Sequence, residues 1–488
     1  LALRGAAHND GADMDGAVIE SDVPARMDRL PWSRWHVRII VALGTSWILD
    51  GLEVTLVGSL SGVLQTKNGL SLTDQQVTGA ATVYLAGAVI GALLFGRLTD
   101  RHGRRRLFLV TLATYSLATL GTAFAVNYLS FAIARFVTGM GIGGEYAAIN
   151  SAVDELIPGK IRGRVDLFVN ATFWVGASLG AVATLLLLSS YGPPHAWGWR
   201  LAFGIGGVLG FGVLILRLAV PESPRWLMLR GRDRDASAVV DAIESEIREH
   251  IPELPAVAEK PLRLKTRDHT PWGEIFRHML GPSRSRSVLG LVLMVGQAFF
   301  FNAMFFTFGL VAKQFYHRSD ALLPLQLLPF AIASFLGPVI LGPFFDRIGR
   351  KPMITGSYAV SGVGLAVIAV LFGFGVLSLN ALTAGFAVIF FVASAAASAA
   401  YLTVSEIFPL EIRALAIAIF YAFGTLIGGV GAPLFFGSLI AGGSRGPLAL
   451  GYLLGAALML AGALCEYLIG VEAAGKSLES VSQPLQSA

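Results

Sequence analysis

Twelve apolar runs, each about as long as a bilayer is thick, decide what this chain can become. They occupy residues 39–63, 76–96, 107–126, 128–152, 166–189, 201–219, 287–312, 324–344, 353–375, 380–403, 415–440 and 448–469. At ~1.5 Å per residue, each can cross a hydrocarbon core of ~30 Å as a helix. Unbroken runs of this length exclude barrel strands, which alternate over ~10 residues. Gly and Ala recur within the runs, as expected where helices must approach closely without a hydrophobic force between them. The expectation is an all-α membrane protein with twelve transmembrane helices, numbered here as spans 1 to 12.

Charge sets the orientation. Only 14% of the residues are charged, against roughly 25% in a soluble chain. This excludes a disordered or nucleic-acid-binding protein despite the formal net charge of +5. Of the 37 Lys and Arg, 31 fall in the N-terminal tail and in segments on its side of the spans. Lys67, Arg200, Lys313, Arg318 and Arg445 fall on the other side, and Arg135 lies within span 4. The positive-inside rule therefore places both termini in the cytoplasm, with the chain in the plasma (cytoplasmic) membrane. Cys465, within span 12, is the single cysteine, so neither a disulfide framework nor a Cys-based metal site is expected. Residues 1–36 are polar and mixed in charge, and no cleavable signal peptide is expected ahead of span 1.

The chain contains itself twice. After span 2 stands Gly96-Arg97-Leu98-Thr99-Asp100-Arg101-His102-Gly103-Arg104-Arg105, and after span 8 Gly342-Pro343-Phe344-Phe345-Asp346-Arg347-Ile348-Gly349-Arg350-Lys351. A second pair follows spans 4 and 10: Glu155-Leu156-Ile157-Pro158 with Ile161-Arg162, and Glu406-Ile407-Phe408-Pro409 with Ile412-Arg413. Asp346 follows Asp100 by 246 positions and Glu406 follows Glu155 by 251. Two motifs repeating at nearly one offset indicate two parallel six-helix halves, 37–219 and 287–470. The remaining segments are an N-terminal tail (1–36), a central loop (220–286) and a C-terminal tail (471–488). Parallel halves with a solute site between them are the architecture of alternating-access carriers.

These paired loops resemble the signature of the major facilitator superfamily, and the resemblance covers about residues 36–470. Pro221-Glu222-Ser223-Pro224-Arg225-Trp226-Leu227 and Ser405-Glu406-Ile407-Phe408-Pro409 are similar to motifs of its sugar porters. Gly141-Ile142-Gly143-Gly144-Glu145-Tyr146 resembles the organic-anion and metabolite:proton symporters instead. The resemblance implies a cytoplasmic gate that closes while the carrier opens outward. Asp100 and Asp346 sit where each can pair with an Arg across a neighbouring helix end, beside Arg104 and Arg350. The resemblance adds Glu155, Glu222, Glu406, Arg162 and Arg413 to this network. Glu145, near the cytoplasmic end of span 4, is read as part of the gate.

Charges inside the spans are functional candidates, since each costs at least ~2.5–3.5 kcal/mol at the bilayer centre. Asp50 and Glu53 in span 1 and Arg135 in span 4 stand out. Glu53 lies ~22 Å and Arg135 ~25 Å above the cytoplasmic side, so the two are level. Asp50 and Glu53 share one helical face and cannot both ionise cheaply in low dielectric. A carboxylate shared between a proton and an Arg suits proton coupling. The alternatives are a packing ion pair or direct contact with a charged solute. Gly51-Leu52-Glu53 resembles the Gly-Tyr-Asp of sugar porters, whose Asp couples protons through an Arg at the place of Arg135. Asp50-Gly51-Leu52-Glu53 also resembles the first-span motif of aromatic-acid:proton symporters.

Polar and aromatic residues within spans are candidate solute contacts. Asn170 stands where sugar porters place a substrate-binding Gln, and Trp174 shares its face. Gln297 and Asn302 match the second Gln and the Asn of the sugar porters' span 7 motif. The first Gln is Gly296 here, and the paired Tyr are Phe305 and Phe306. Gln297 and Asn302 are about 140° apart on an ideal helix, so both can face one cavity only if span 7 bends, which Gly296 permits. Tyr401 stands near the place of a sugar-stacking Trp. Losing hydroxyl and amide donors leaves a cavity too aromatic for a hexose.

The central loop is highly charged, with a helix expected at 233–250 and a linker at 252–271, and the tail 471–488 reads as disordered. No phosphate loop, metal-ligand spacing or nucleophile–base pair is present, so neither ATP-driven transport nor enzymatic activity is supported, and no cofactor is expected. The resulting expectation is a proton-coupled symporter of a small organic metabolite, plausibly an aromatic or carboxylic acid, working as a monomer in the bilayer. The alternatives are a sugar:proton symporter, a uniporter or efflux antiporter, and a non-transporting sensor on the same fold.

Overall fold

The computed structural model describes residues 18–67, 69–187, 195–257, 261–266, 270–305, 307–317 and 323–485. Spans 1 to 6 are Arg34–Leu64, Asp74–His102, Arg104–Ala123, Tyr128–Leu156, Arg162–Leu187 and His195–Arg217. Span 7 is Arg284–Phe305 continued by Phe308–Tyr316; spans 8 to 10 are Leu323–Arg347, Arg350–Gly373 and Leu379–Ile407. Span 11 runs from Arg413 to Ala441 with a π-helical stretch at Thr425–Gly431, and span 12 is Arg445–Ile469. Among the described residues, eleven helices are long and apolar enough to cross a membrane. Span 4 completes the twelve, and it buries Arg135, Glu145, Asp154 and Glu155.

Each half packs in the same order. Span 1 lies against span 5, span 2 against span 4 and span 3 against span 6, and in the second half span 7 lies against span 11, span 8 against span 10 and span 9 against span 12. The halves meet through spans 2 and 11 on one side and spans 8 and 5 on the other. Span 8 is the repeat partner of span 2, and span 11 of span 5, so the two seams are equivalent. Small residues set the closest approaches: a Cβ on Gly51 would fall 1.9 Å from the Phe173 carbonyl oxygen, and one on Gly176 1.8 Å from that of Ile48. Spans 1 and 5 therefore touch backbone to backbone.

Spans 2 and 3 are joined by Gly103 alone, at φ +96°, and spans 8 and 9 turn through Gly349 at φ +121°. A Cβ at these points would fall 2.3 Å from Glu222 and 2.5 Å from Glu472. Glycine is required twice over, by the backbone and by the carboxylate packed on it.

The face that carries both termini is more ordered than its composition suggests. Val18–Ser21 pairs antiparallel with Leu262–Lys265, so a strand lies within the stretch read as a linker. The loop helix forms at Asp233–Arg248 and buries Val240, Ile243 and Ile247. The C-terminal tail, expected to be disordered, is packed as far as it is described. Leu478 and Val481 are buried, Glu479 pairs with Arg225 at 3.0 Å, and the Leu485 N–H donates to Glu411 at 2.9 Å. Its polar composition concealed two apolar contacts and a specific ion pair.

Candidate functional site

Two matched clusters close the terminus-bearing face. In the first, the Arg104 guanidinium meets Glu155 at 2.9 Å and Asp100 at 3.3 Å, and Arg413 reaches Glu155 from the other half at 3.6 Å. In the second, Arg350 meets Glu406 at 3.1 Å and Asp346 at 2.8 Å, and Arg162 crosses the seam to Glu406 at 3.6 Å. The cross-seam partners of the aspartates differ from the expected Arg. Asp346 accepts the Gly163 and Arg164 N–H groups, both at 3.0 Å, and Asp100 accepts the Leu415 N–H at 3.0 Å. Each aspartate thus caps the first turn of a helix from the opposite half, where unpaired N–H groups and the helix dipole favour an anion.

Glu222 binds the same way within its half, accepting the Arg104 N–H at 2.8 Å, and Glu472 accepts the Arg350 N–H at 2.8 Å. Burial pushes the Glu222 carboxyl above its usual range, against the pull of the Ser223 N–H and the Arg104 guanidinium. Asp28 of the N-terminal segment reaches Arg162 at 3.3 Å and Arg225 at 2.8 Å.

Within the first half, span 1 presents Ser46, Asp50 and Glu53 on one stripe, spaced by four and three residues. Glu53 forms a buried ion pair with Arg135, whose guanidinium lies 4.6 Å over the Tyr84 ring. At the other end of the stripe, Arg217 donates to both Ser46 and Glu145 and lies 4.6 Å over the Phe108 ring. Asp50 stands between these two pairs, fully buried, and neither of its oxygens has a hydrogen-bond partner among the described residues. Its electrostatic neighbours are Glu145, Arg217 and Glu53. Glu145 therefore joins the intramembrane stripe, and its ion pair is with Arg217 rather than with either charge cluster. Arg217 ends the apolar run of span 6, where position alone reads as a loop cation, and its burial comes with the Glu145 partner.

Where the halves face each other, the contacts are aromatic. Trp47 of span 1 lies 4.2 Å from Tyr146 and 6.4 Å from Tyr401, ring centre to ring centre, and Tyr146 lies 4.6 Å from Tyr421. Trp174 lies 5.6 Å from Phe301 and 5.3 Å from Phe305. Trp174 and Tyr401 thus each meet rings of the opposite half, with Gln297 beside the Tyr401 hydroxyl. Asn170 spends its amide donor on Asn150 and on the Asp166 carbonyl, at 3.2 Å and 2.9 Å. Asn302 donates to the Ala298 carbonyl of its own helix at 2.7 Å. Span 7 does not unwind at Gly296: the helix is continuous from Arg284 to Phe305, and a second helix starts at Phe308. Trp47, Tyr146 and Tyr421 went unread as a group because they come from three spans.

Among relatives, a niacin transporter, NiaP, of Acinetobacter baylyi is 27% identical over 462 residues, covering 94% of this chain and 99% of that one. A putative metabolite transport protein of Escherichia coli, YdjK, is 29% identical over 480 residues, covering 94% and 96%. Among solved structures, the proton:xylose symporter XylE bound to 6-bromo-6-deoxy-D-glucose superposes with a TM-score of 0.74 at 21% identity, over 92% of this chain and 98% of that one. The family profile described as "Sugar (and other) transporter" matches residues 38–485. With that match over most of its length the chain belongs to this family: it is a major facilitator membrane transporter of small solutes.

Proposed function

We propose that the chain is a proton-coupled symporter of a small aromatic carboxylic acid, of which nicotinate is the leading candidate. It works as a monomer in the plasma membrane, with both termini cytoplasmic. The observation that carries the coupling is Asp50, a buried carboxyl without a hydrogen-bond partner among the described residues, between the Glu53–Arg135 and Glu145–Arg217 pairs. An uncompensated buried carboxylate is expensive, so this is where a proton entering the stripe is first held. Passing it to Glu53 releases Arg135 and changes how spans 1 and 4 pack. The aromatic seam and the niacin transporter among the relatives support the solute class.

The charge clusters formed by Asp100, Arg104, Glu155, Arg162, Asp346, Arg350, Glu406 and Arg413 serve as the cytoplasmic gate. Their buried charges are mutually compensated, so opening this face must separate them together. Rocking of the halves then exposes the seam to alternate sides.

The test is uptake of labelled nicotinate into proteoliposomes under an inward proton gradient, with and without a protonophore. Uptake should collapse with the protonophore. Glu53→Gln should lose gradient-driven uptake while keeping solute exchange. Uptake indifferent to the protonophore would overturn the coupling, and uptake of hexose in place of nicotinate would overturn the solute class.

A further inference from the structure

Trp47 is 3% exposed, and its indole Nε1–H has no hydrogen-bond partner among the described residues. Buried indole N–H groups ordinarily find an acceptor, so the group is left waiting for one. The other polar groups on this stripe of span 1 do not supply it: Ser46 is held by Arg217, Glu53 by Arg135, and neither Asp50 oxygen has a hydrogen-bond partner among the described residues. Trp47 also stands where the aromatic residues of the two halves converge. Its ring is met edge to face by Tyr146, Phe173 and Tyr401, at 70°, 76° and 73°. The seam thus offers ring surfaces from both halves beside an unused donor. Trp47 precedes Asp50 by three residues, about one turn away on the same face of span 1.

We infer that Trp47 is the polar anchor of the solute site, donating its indole N–H to an oxygen or ring nitrogen of a flat aromatic or heteroaromatic acid seated at the seam. This deepens the functional reading above and rests on it, since it takes the seam to be the solute path. An acceptor held at Trp47 lies next to the proton held at Asp50, which places solute and proton on neighbouring turns of one helix. A planar ring gains contact with aromatic faces from both halves, which a saturated ring of the same charge cannot match.

The experiment is equilibrium binding to the purified full-length protein in lipid nanodiscs, with nicotinate, benzoate and cyclohexanecarboxylate as probes. Wild type should bind the two aromatic acids about tenfold or more tightly than the saturated one. Trp47→Phe, which keeps a ring and removes the N–H, should weaken both aromatic acids by about tenfold with little change in melting temperature. Trp47→His, which restores an N–H, should recover part of the loss. Unchanged affinity in Trp47→Phe overturns the anchor and leaves the aromatic-acid carrier standing. Equal binding of benzoate and cyclohexanecarboxylate overturns the aromatic class, and this comparison uses wild type alone. Failure of wild type to bind any of the three overturns this inference and the functional reading together.

Discussion

Asp346 and Arg164 belong to opposite halves of the molecule, yet the carboxylate of one accepts the backbone N–H of the other at 3.0 Å. Asp100 does the same for Leu415 across the second seam, also at 3.0 Å. The halves are therefore tied by carboxylates that cap foreign helices, and the Arg residues of the same motifs act one step behind, holding Asp100, Asp346, Glu155 and Glu406 in place.

Removing the charge of one cap should loosen one seam. Asp346→Asn retains an acceptor but loses the charge-assisted bond, at a cost of about 1 kcal/mol. Amide exchange at Gly163 and Arg164 should accelerate about fivefold, while Leu415 stays protected. Asp100→Asn should show the reverse pattern. Hydrogen exchange read by mass spectrometry checks both, and uniform acceleration in either variant would refute the cap assignment.

The Glu145–Arg217 pair should behave as a compensated buried charge. Arg217→Met leaves Glu145 without its cation and should destabilise the protein by about 3–5 kcal/mol. Combining it with Glu145→Leu should recover most of that loss. Denaturation of the four proteins of the double-mutant cycle measures the coupling.

Packing of spans 1 and 5 leaves no room for a methyl group. Gly51→Ala would bring its Cβ against the Phe173 carbonyl at 1.9 Å, and the backbone of span 5 cannot yield as a side chain would. Overpacking of this kind costs about 1–3 kcal/mol or more. A lowered melting temperature and a reduced monodisperse yield on size exclusion are the expected readouts. Gly212→Ala, where a Cβ meets nothing within 4 Å, serves as the control.

Acid should release the N-terminal segment. Burial pushes the Glu244 carboxyl up, but the hydrogen bonds and charges of Arg26 and Arg29 outweigh it and hold the group below its ordinary 4.5. A carboxyl depressed in the folded state stabilises above its unfolded value, and that contribution is lost as pH falls through the folded value. Exchange at Val23–Asp28 should therefore rise as pH falls below the ordinary carboxylate value of 4.5. Glu244→Gln should show the raised exchange at neutral pH.

Local signals carried much of this. Helix length, the Lys and Arg asymmetry and the repeated loops are written in neighbouring residues, so the fold and the members of both charge clusters were legible before any coordinates. Glu53 and Arg135 could be matched by depth alone, because rise per residue converts position into height. Partner choice across the seams was not legible. Asp346 could have met an Arg or a helix terminus, and only the placement of span 5 selected the latter. The aromatic seam and the orphan N–H of Trp47 are likewise properties of six helices brought together. The sequence by itself determined which helices form and which charges they carry. The tertiary structure decided which of those charges meet, because pairing depends on rotation and offset between helices that no single helix encodes.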